Sequence, residues 1–306
     1  MHPPATPENA KLGILAGLAA YLIWGLVPVF FKQIAEVPAD EIIAHRVLWA
    51  MVFMAAVMGF GRGFADALRV ARMPRQLARI ALASSLVISN WLAFVWGVNS
   101  GHILETSLGY FILPLFNVAL GVLVLNERLR PLQWLAVLLA ATGVAIEALR
   151  IGGLPWISLV LAGTFGIYGL LRKQLPLDAA SGLFLETVCM TPLALAWVIW
   201  LSISGENHFA IGPGMLNGRD MMLIAMGAVT AIPLLLFAIA ARRLPLNMMG
   251  FLQYLAPSIT FLLAVLVYDE PLDASRALAF GAIWLGLAVY SVDLARSAGA
   301  RATVIP

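Results

Sequence analysis

Charge is scarce in this chain: Asp, Glu, Lys and Arg make up only 11% of its 306 residues, against about 25% in soluble domains. Cysteine is almost absent. The single Cys189 excludes an intrachain disulfide and any zinc site built on cysteine spacing. His2, His45, His102 and His208 are too scattered to suggest a local metal motif, so no metal is expected. No G-x-x-x-x-G-K-[ST] is present, so ATP-driven pumping within the chain has no support, and G-x-S-x-G and H-E-x-x-H are missing too. Tyr268-Asp269 stands alone and lacks the second membrane aspartate of an intramembrane aspartyl site. These absences argue against an enzyme and against a bound cofactor.

Apolar side chains fill the space instead. Hydrophobic residues make up 62% and the mean hydropathy is +0.93. A globule of this size cannot hide so much apolar surface, so the composition predicts an all-α integral membrane protein. A span needs about 20 mostly apolar residues. Ten segments qualify: 12–31, 42–60, 78–98, 103–125, 131–149, 154–171, 180–203, 220–241, 247–267 and 275–293. The alternating ten-residue strands of a membrane β-barrel are absent. The run 12–31 is longer than a signal-peptide core of about 7–15 residues and reads as a retained span.

Basic residues orient the spans. With the N-terminus cytoplasmic, fourteen Lys or Arg lie in inner segments and four in outer ones, Arg46 being inside a span. By the positive-inside rule both termini are cytoplasmic. The net charge of +3 follows from this bias and does not call for nucleic acid. Most of the bias sits in 61–76, which reads as a topology determinant that also suits anionic lipid headgroups as a short basic helix.

A weak internal repeat divides the chain. At a shift of 143, Pro114 meets Pro257, Glu127 meets Glu270, Leu129 meets Leu272, Ala136 meets Ala279 and Gly143 meets Gly286. At a shift of 141, Gly25 meets Gly166 and Lys32-Gln33 meets Lys173-Gln174. Five spans per half require the second copy to be inverted, a recurring plan of secondary transporters. The expected division is a tail 1–11, a first five-helix repeat 12–149, a second 150–293 and a tail 294–306.

The segments AAYLIWG (19–25), VPADEIIAHR (37–46), NWLAFVWGVN (90–99) and LETSLGYFILPL (104–115) resemble the EamA family of the drug/metabolite transporter superfamily, in its RarD-like branch. NERLRPLQWLAV (126–137), PLLLFAIAARRL (233–244) and GFLQYLAP (250–257) extend the resemblance into the second half. It implies ten transmembrane helices as two inverted five-helix repeats around a central cavity, in the cell inner membrane. It also implies export of drugs or metabolites.

Ionisable groups inside spans cost roughly 2.5–3.5 kcal/mol each at the helix centre unless partnered. That singles out His45, Arg46, Glu105 and Glu186 as gate or coupling residues. Arg46 and Glu105 share a depth and are expected to pair. Asn90, Trp91, Tyr110, Asn117, Tyr168, Gln253 and Tyr254 lie near the midplane and suit an amphipathic or aromatic solute. Asn90, Trp91, Tyr110 and Tyr254 are expected to border one cavity. Pro114, Pro233 and Pro257 interrupt helical hydrogen bonding. Trp24, Trp49, Trp96, Trp156 and Trp200 suit interface belts.

Small residues at four-residue spacing, Gly13/Gly17 and Ala141/Ala145, permit close helix contact, within the bundle or across a homodimer. The expected function is a secondary transporter of small amphipathic molecules by alternating access, with a small-molecule substrate and membrane lipids as partners. A nucleotide-sugar-type exchanger and a non-transport membrane-embedded component or enzyme stand as alternatives. Anionic cargo would favour more cavity cations than Arg46.

Overall fold

A computed structural model describes residues 7–34, 36–59, 63–100, 102–151, 155–175, 177–210, 217–267 and 274–302. The described residues form twelve α-helices, one 3-10 turn (Lys32–Ile34) and no strand. The helices are α1 (Pro7–Phe31), α2 (Ala39–Gly59), α3 (Gly63–Ala71), α4 (Pro74–Asn99), α5 (Ile103–Leu123) and α6 (Pro131–Ile151). They continue with α7 (Trp156–Gln174), α8 (Ala179–Ser204), α9 (Gly218–Arg243), α10 (Leu246–Gln253), α11 (Leu255–Leu266) and α12 (Ala274–Ala302). Among the described residues, 8 stretches are long and apolar enough to cross a membrane. The expected spans 103–125 and 154–171 are α5 and α7 but fall outside that set. In α5 the apolar stretch read among the described residues is Leu108–Leu123, and α7 closes on Arg172 and Lys173. Glu270 and Leu272 of the repeat, with Tyr268-Asp269, lie outside the described residues.

The helices gather into two compact units, and each draws on both halves of the sequence. One comprises Met1–Trp96 and Ile167–Leu244, the other Gly97–Gly166 and Pro245–Pro306. Packing thus divides the chain differently from the repeat.

In the first unit α1 packs on α9, α2 lies against both α8 and α9, and α3 rests on α8. Small residues permit these approaches. A Cβ on Gly13 would sit 2.9 Å from the Cβ of Arg243, and one on Gly227 would collide with the Trp49 carbonyl. Gly13 is therefore occupied within the unit. At one end Ile34, Val37, Ile42, Leu223 and Met226 form an apolar cluster; at the other Met58, Ala67, Val70, Ile80, Leu175, Leu177 and Leu185 form a second. Segment 61–76 contributes α3, which buries Ala67 and Val70 and leaves Leu68 and Arg69 exposed, with Arg72 exposed in the turn that follows. Trp24 and Trp49 are partly buried here, Trp24 beside Tyr21 and Phe237 and Trp49 beside Phe209. Trp96, Trp156 and Trp200 are exposed.

The second unit pairs α6 with α12 and α5 with α10. A Cβ on Gly143 would lie 2.5 Å from the Ala279 carbonyl oxygen, and one on Gly286 would lie 2.8 Å from that of Ala136. The residues matched at a shift of 143 thus exchange partners. Helices α5 and α9 run through Pro114 and Pro233 unbroken. Near Pro257 the chain does break, α10 ending at Gln253 and α11 beginning at Leu255. Pro257 has no N–H for the Gln253 carbonyl four residues back.

Caps fix the helix starts. Asp178 accepts the N–H groups of Ala180 at 2.9 Å and Ser181 at 3.0 Å to open α8, and Asn217 and Asp220 form a reciprocal capping box on α9. Gly205, at φ +78°, ends α8 in the left-handed conformation that glycine adopts without strain. Partial burial works to raise the Asp178 carboxyl, but the hydrogen bonds from Ser181 and Ala180 outweigh it and hold it below the ordinary carboxylate range. Asp178→Ala should cost about 1 kcal/mol near neutral pH. A carboxyl lowered in the folded state contributes above its unfolded value of about 3.9 and loses that contribution as pH falls through its folded value. The gap between wild type and Asp178→Ala in thermal unfolding should therefore close on acidification. A gap that stays constant down to about pH 2 would contradict the cap.

Candidate functional site

In the first unit, the charge that α8 carries inside its apolar sequence is fully partnered. Glu186 is 1% exposed. Its Oε1 accepts a hydrogen bond from Arg172 Nη1 at 3.0 Å, and its Oε2 accepts one from the Tyr168 hydroxyl at 3.1 Å. Tyr168 and Arg172 are one turn apart on α7, so a single helix face presents both donors. Arg172, 2% exposed, also donates from Nη2 to the Ala179 carbonyl at 3.0 Å. Gly182 leaves room for the guanidinium, since a Cβ there would collide with Arg172 Nη1. The Tyr168 ring stacks on Phe237 at 5.9 Å between centroids.

Beside this pair lies a small enclosed cavity bordered by Val47, Trp91, Tyr168, Glu186, Thr187 and Thr230, among others. Its volume of about 10 Å³ admits a single water and no solute. Arg46 reaches the same region from α2. Its Cζ stands 4.4 Å from the centre of the Trp91 ring and 5.8 Å from that of Phe31, and its Nε donates to Thr230 Oγ1 at 3.1 Å. A guanidinium over an indole face is stabilised by about 2 kcal/mol when desolvated. Two lining residues, Trp91 and Thr230, thus carry the Arg46 cation, and two others, Tyr168 and Glu186, belong to the carboxylate–guanidinium cluster.

His45 and Asn90 are buried in the same unit. His45 packs on Phe209 at 4.8 Å between centroids and has Glu41 one turn away. Glu186 and His45, matched at a shift of 141, therefore sit in different surroundings.

The second unit holds the remaining residues. Asn117 Nδ2 donates to Gln253 Oε1 at 2.7 Å, and the Tyr254 hydroxyl donates to the Phe111 carbonyl at 3.2 Å. Tyr110 is exposed. The Glu105 carbonyl accepts from Ser158 Oγ, while its Oε2 is buried without a hydrogen-bond partner among the described residues. Glu127 accepts the N–H groups of Leu246 at 2.7 Å and Asn247 at 2.9 Å and so caps α10. The solute-site residues divide accordingly, Asn90, Trp91 and Tyr168 in the first unit and Tyr110, Asn117, Gln253 and Tyr254 in the second. Arg46 belongs to the first unit and Glu105 to the second.

The model of the EamA-like transporter family matches residues 11–148. The chain is 46% identical over 286 residues to a protein named "Uncharacterized transporter" from Vibrio cholerae, covering 94% of each. It is 43% identical over 286 residues to Protein RarD of Escherichia coli K12, covering 94% of this chain and 96% of that one. The chain belongs to the EamA-like transporter family. Within it, the chain is RarD-like, and it is a multi-pass membrane transporter. It is also 32% identical over 295 residues to a Pseudomonas aeruginosa protein named "Chloramphenicol-sensitive protein RarD", covering 93% of this chain and 95% of that one. A protein solved by crystallography shares the fold, with a TM-score of 0.68 at 20% identity over 94% of this chain and 98% of the other.

Three residues of this EamA-family chain enter the clusters without having been singled out by sequence. Arg172 is one of the fourteen inner cations that orient the spans, yet it is buried on Glu186. The signal was Glu186 itself, a carboxylate in a span that needed a cation, with Arg172 fourteen residues upstream across a short turn. Glu41 lies inside the quoted VPADEIIAHR segment, one helical turn before His45. Thr230 carried no signal. Among the described residues, no group of three or more His, Cys, Asp or Glu is placed to hold a metal ion.

Proposed function

We propose that this EamA-family transporter exports small amphipathic metabolites or drugs across the inner membrane by alternating access. The observation that carries the reading is Arg46 lying on the Trp91 ring beside the buried Glu186–Arg172–Tyr168 cluster. An aromatic or amphipathic solute with a polar group replaces those contacts in kind, stacking on the indole and bonding the guanidinium. At about 10 Å³ the cavity must widen to admit such a molecule, which is what an alternating cycle supplies. Ten helices in two inverted five-helix repeats are supported by the exchanged contacts of Gly143 with Ala279 and Gly286 with Ala136. The basic-residue bias supports cytoplasmic termini. A nucleotide-sugar-type exchanger is less favoured, because Arg172 is committed to Glu186.

Proteoliposomes containing this chain alone, loaded with chloramphenicol first because of the P. aeruginosa relative's name, should release solute faster than empty liposomes. Release equal to that of empty liposomes for every solute that raises the thermal midpoint in a ligand screen would sink the reading. A cysteine introduced at Ser204 should react with an impermeant reagent from the outer side of cells and not from the inner side of inverted vesicles.

A further inference from the structure

A second buried polar cluster lies outside the solute site, along one face of α2. Glu41, His45 and Trp49 follow at four-residue spacing, so each is one turn below the last, about 6 Å along the axis. Glu41 is 0% exposed. Its carboxylate accepts two hydrogen bonds from one residue of the segment after α8, the His208 N–H at 2.7 Å and His208 Nδ1 at 2.8 Å. Across the same carboxylate, His45 Nε2 lies 3.8 Å from Oε1. His45 is 2% exposed, and neither of its ring nitrogens has a hydrogen-bond partner among the described residues. Buried polar atoms are normally paired, so an orphan calls for an explanation, a bound water or a role in chemistry among them.

Water reaches the other end of this chain of groups. The His208 side chain is 34% exposed and helps line an open cleft of about 560 Å³ with Pro38, Asp40, Glu206 and Asn207. The path therefore runs from bulk water to His208, to the fully buried Glu41, to His45. The neighbouring charged groups have other engagements or stand aside. On α9, Asp220 accepts the N–H groups of Ala210 and Asn217, and Arg219 Nε is 4.0 Å from its Oδ1. On α2, Asp40 accepts from Trp197 Nε1 and Arg46 reaches Thr230 and Trp91. Glu206 is exposed at the rim of the cleft.

We infer that Glu41, His45 and His208 form a proton-binding relay that couples transport to proton movement from the outer face. This rests on the transport reading and orientation proposed above. His208 takes a proton from water at Nε2 and passes its Nδ1 proton to Glu41 Oε2. The carboxyl group turns and hands that proton to His45 Nε2, directly or through one water. The result is an imidazolium at His45, a carboxylate at Glu41 and a neutral His208, with one proton gained in all. While Glu41 is protonated its Oε1 accepts the His208 N–H more weakly than a carboxylate would, and once the carboxyl group turns to His45 the link to His208 Nδ1 is broken, which loosens the segment around His208 from α2.

The test needs no solute. Proteoliposomes containing this chain alone, adsorbed on a capacitive sensor, are stepped from about pH 8 to about pH 6, across the range where histidine changes charge. Wild type should give a transient charge displacement absent from protein-free liposomes. Glu41→Gln and His45→Gln should cut its amplitude about tenfold, and Glu41→Asp should keep most of it. A displacement of wild-type size in Glu41→Gln or His45→Gln, at matched monodispersity and thermal midpoint, overturns the relay. So does its absence from wild type. Should Glu41→Gln fail to fold, His208→Gln decides in its place, a wild-type signal overturning the relay and a slowed or diminished one supporting it. Loss of solute flux with the proton signal intact would fail the export reading and leave the relay standing.

Discussion

Arg172→Leu should destabilise the protein by about 3–5 kcal/mol, the usual consequence of stranding one member of a buried ion pair. Glu186, almost fully buried, would keep only the Tyr168 hydroxyl as a side-chain donor and would have no countercharge. The thermal midpoint in detergent should fall on the order of 10 °C. Glu186→Leu alone should do comparable harm by leaving the guanidinium with the Ala179 carbonyl. The double variant Arg172→Leu with Glu186→Leu removes both charges at once. It should recover most of the loss, since apolar replacement of a whole buried pair is often neutral or stabilising. Gly182→Ala tests the same geometry from the side, because a Cβ there collides with Arg172 Nη1. Additive losses in the double variant, with no coupling beyond about 0.5 kcal/mol, would show that the two groups do not depend on each other.

How far the sequence revealed these arrangements depended on the kind of interaction. Spans were legible because a long apolar run has few other destinations. The match of Gly143 with Gly286 was visible, but not that α6 packs on α12 there, because a glycine in a helix permits close approach without naming the partner. Glu186 was legible as a charge whose isolation in apolar sequence is costly. Arg172 was not: at the end of an apolar run, the same residue serves equally as a topology signal, and only the return of α8 against α7 turns it inward. Glu41 and His208 lie 167 positions apart, and nothing local in either stretch says that the segment after α8 closes over the start of α2. The interleaving of both sequence halves in each unit was hidden for a related reason. A match in sequence reports which helices resemble one another, whereas a compact unit reports which helices touch.

Arg46→Lys should reduce export at least about tenfold while moving the thermal midpoint by only a few degrees. Both side chains carry one positive charge, so a site that needs only a cation would tolerate the exchange. Arg46 does two things at once that an ammonium cannot. Its flat guanidinium lies 4.4 Å from the Trp91 ring centre while its Nε donates to Thr230. Lysine offers a compact, strongly hydrated charge whose donors all sit at one point, so it either reaches the Thr230 hydroxyl or covers the indole. With a loss of about 1.4 kcal/mol corresponding to each tenfold change, one misplaced cation–π contact accounts for the expected fall. Trp91→Phe should fall between wild type and Arg46→Lys, because a phenyl ring keeps a face for the guanidinium but attracts it less strongly than indole. Efflux rates of the solute returned by the ligand screen provide the comparison, read beside the ligand-induced rise in thermal midpoint. Unchanged efflux in Arg46→Lys would reduce Arg46 to a generic positive charge and detach the Trp91 plane from solute handling. A loss of efflux with an equal loss of folding stability would instead make Arg46 a clamp between α2 and α9.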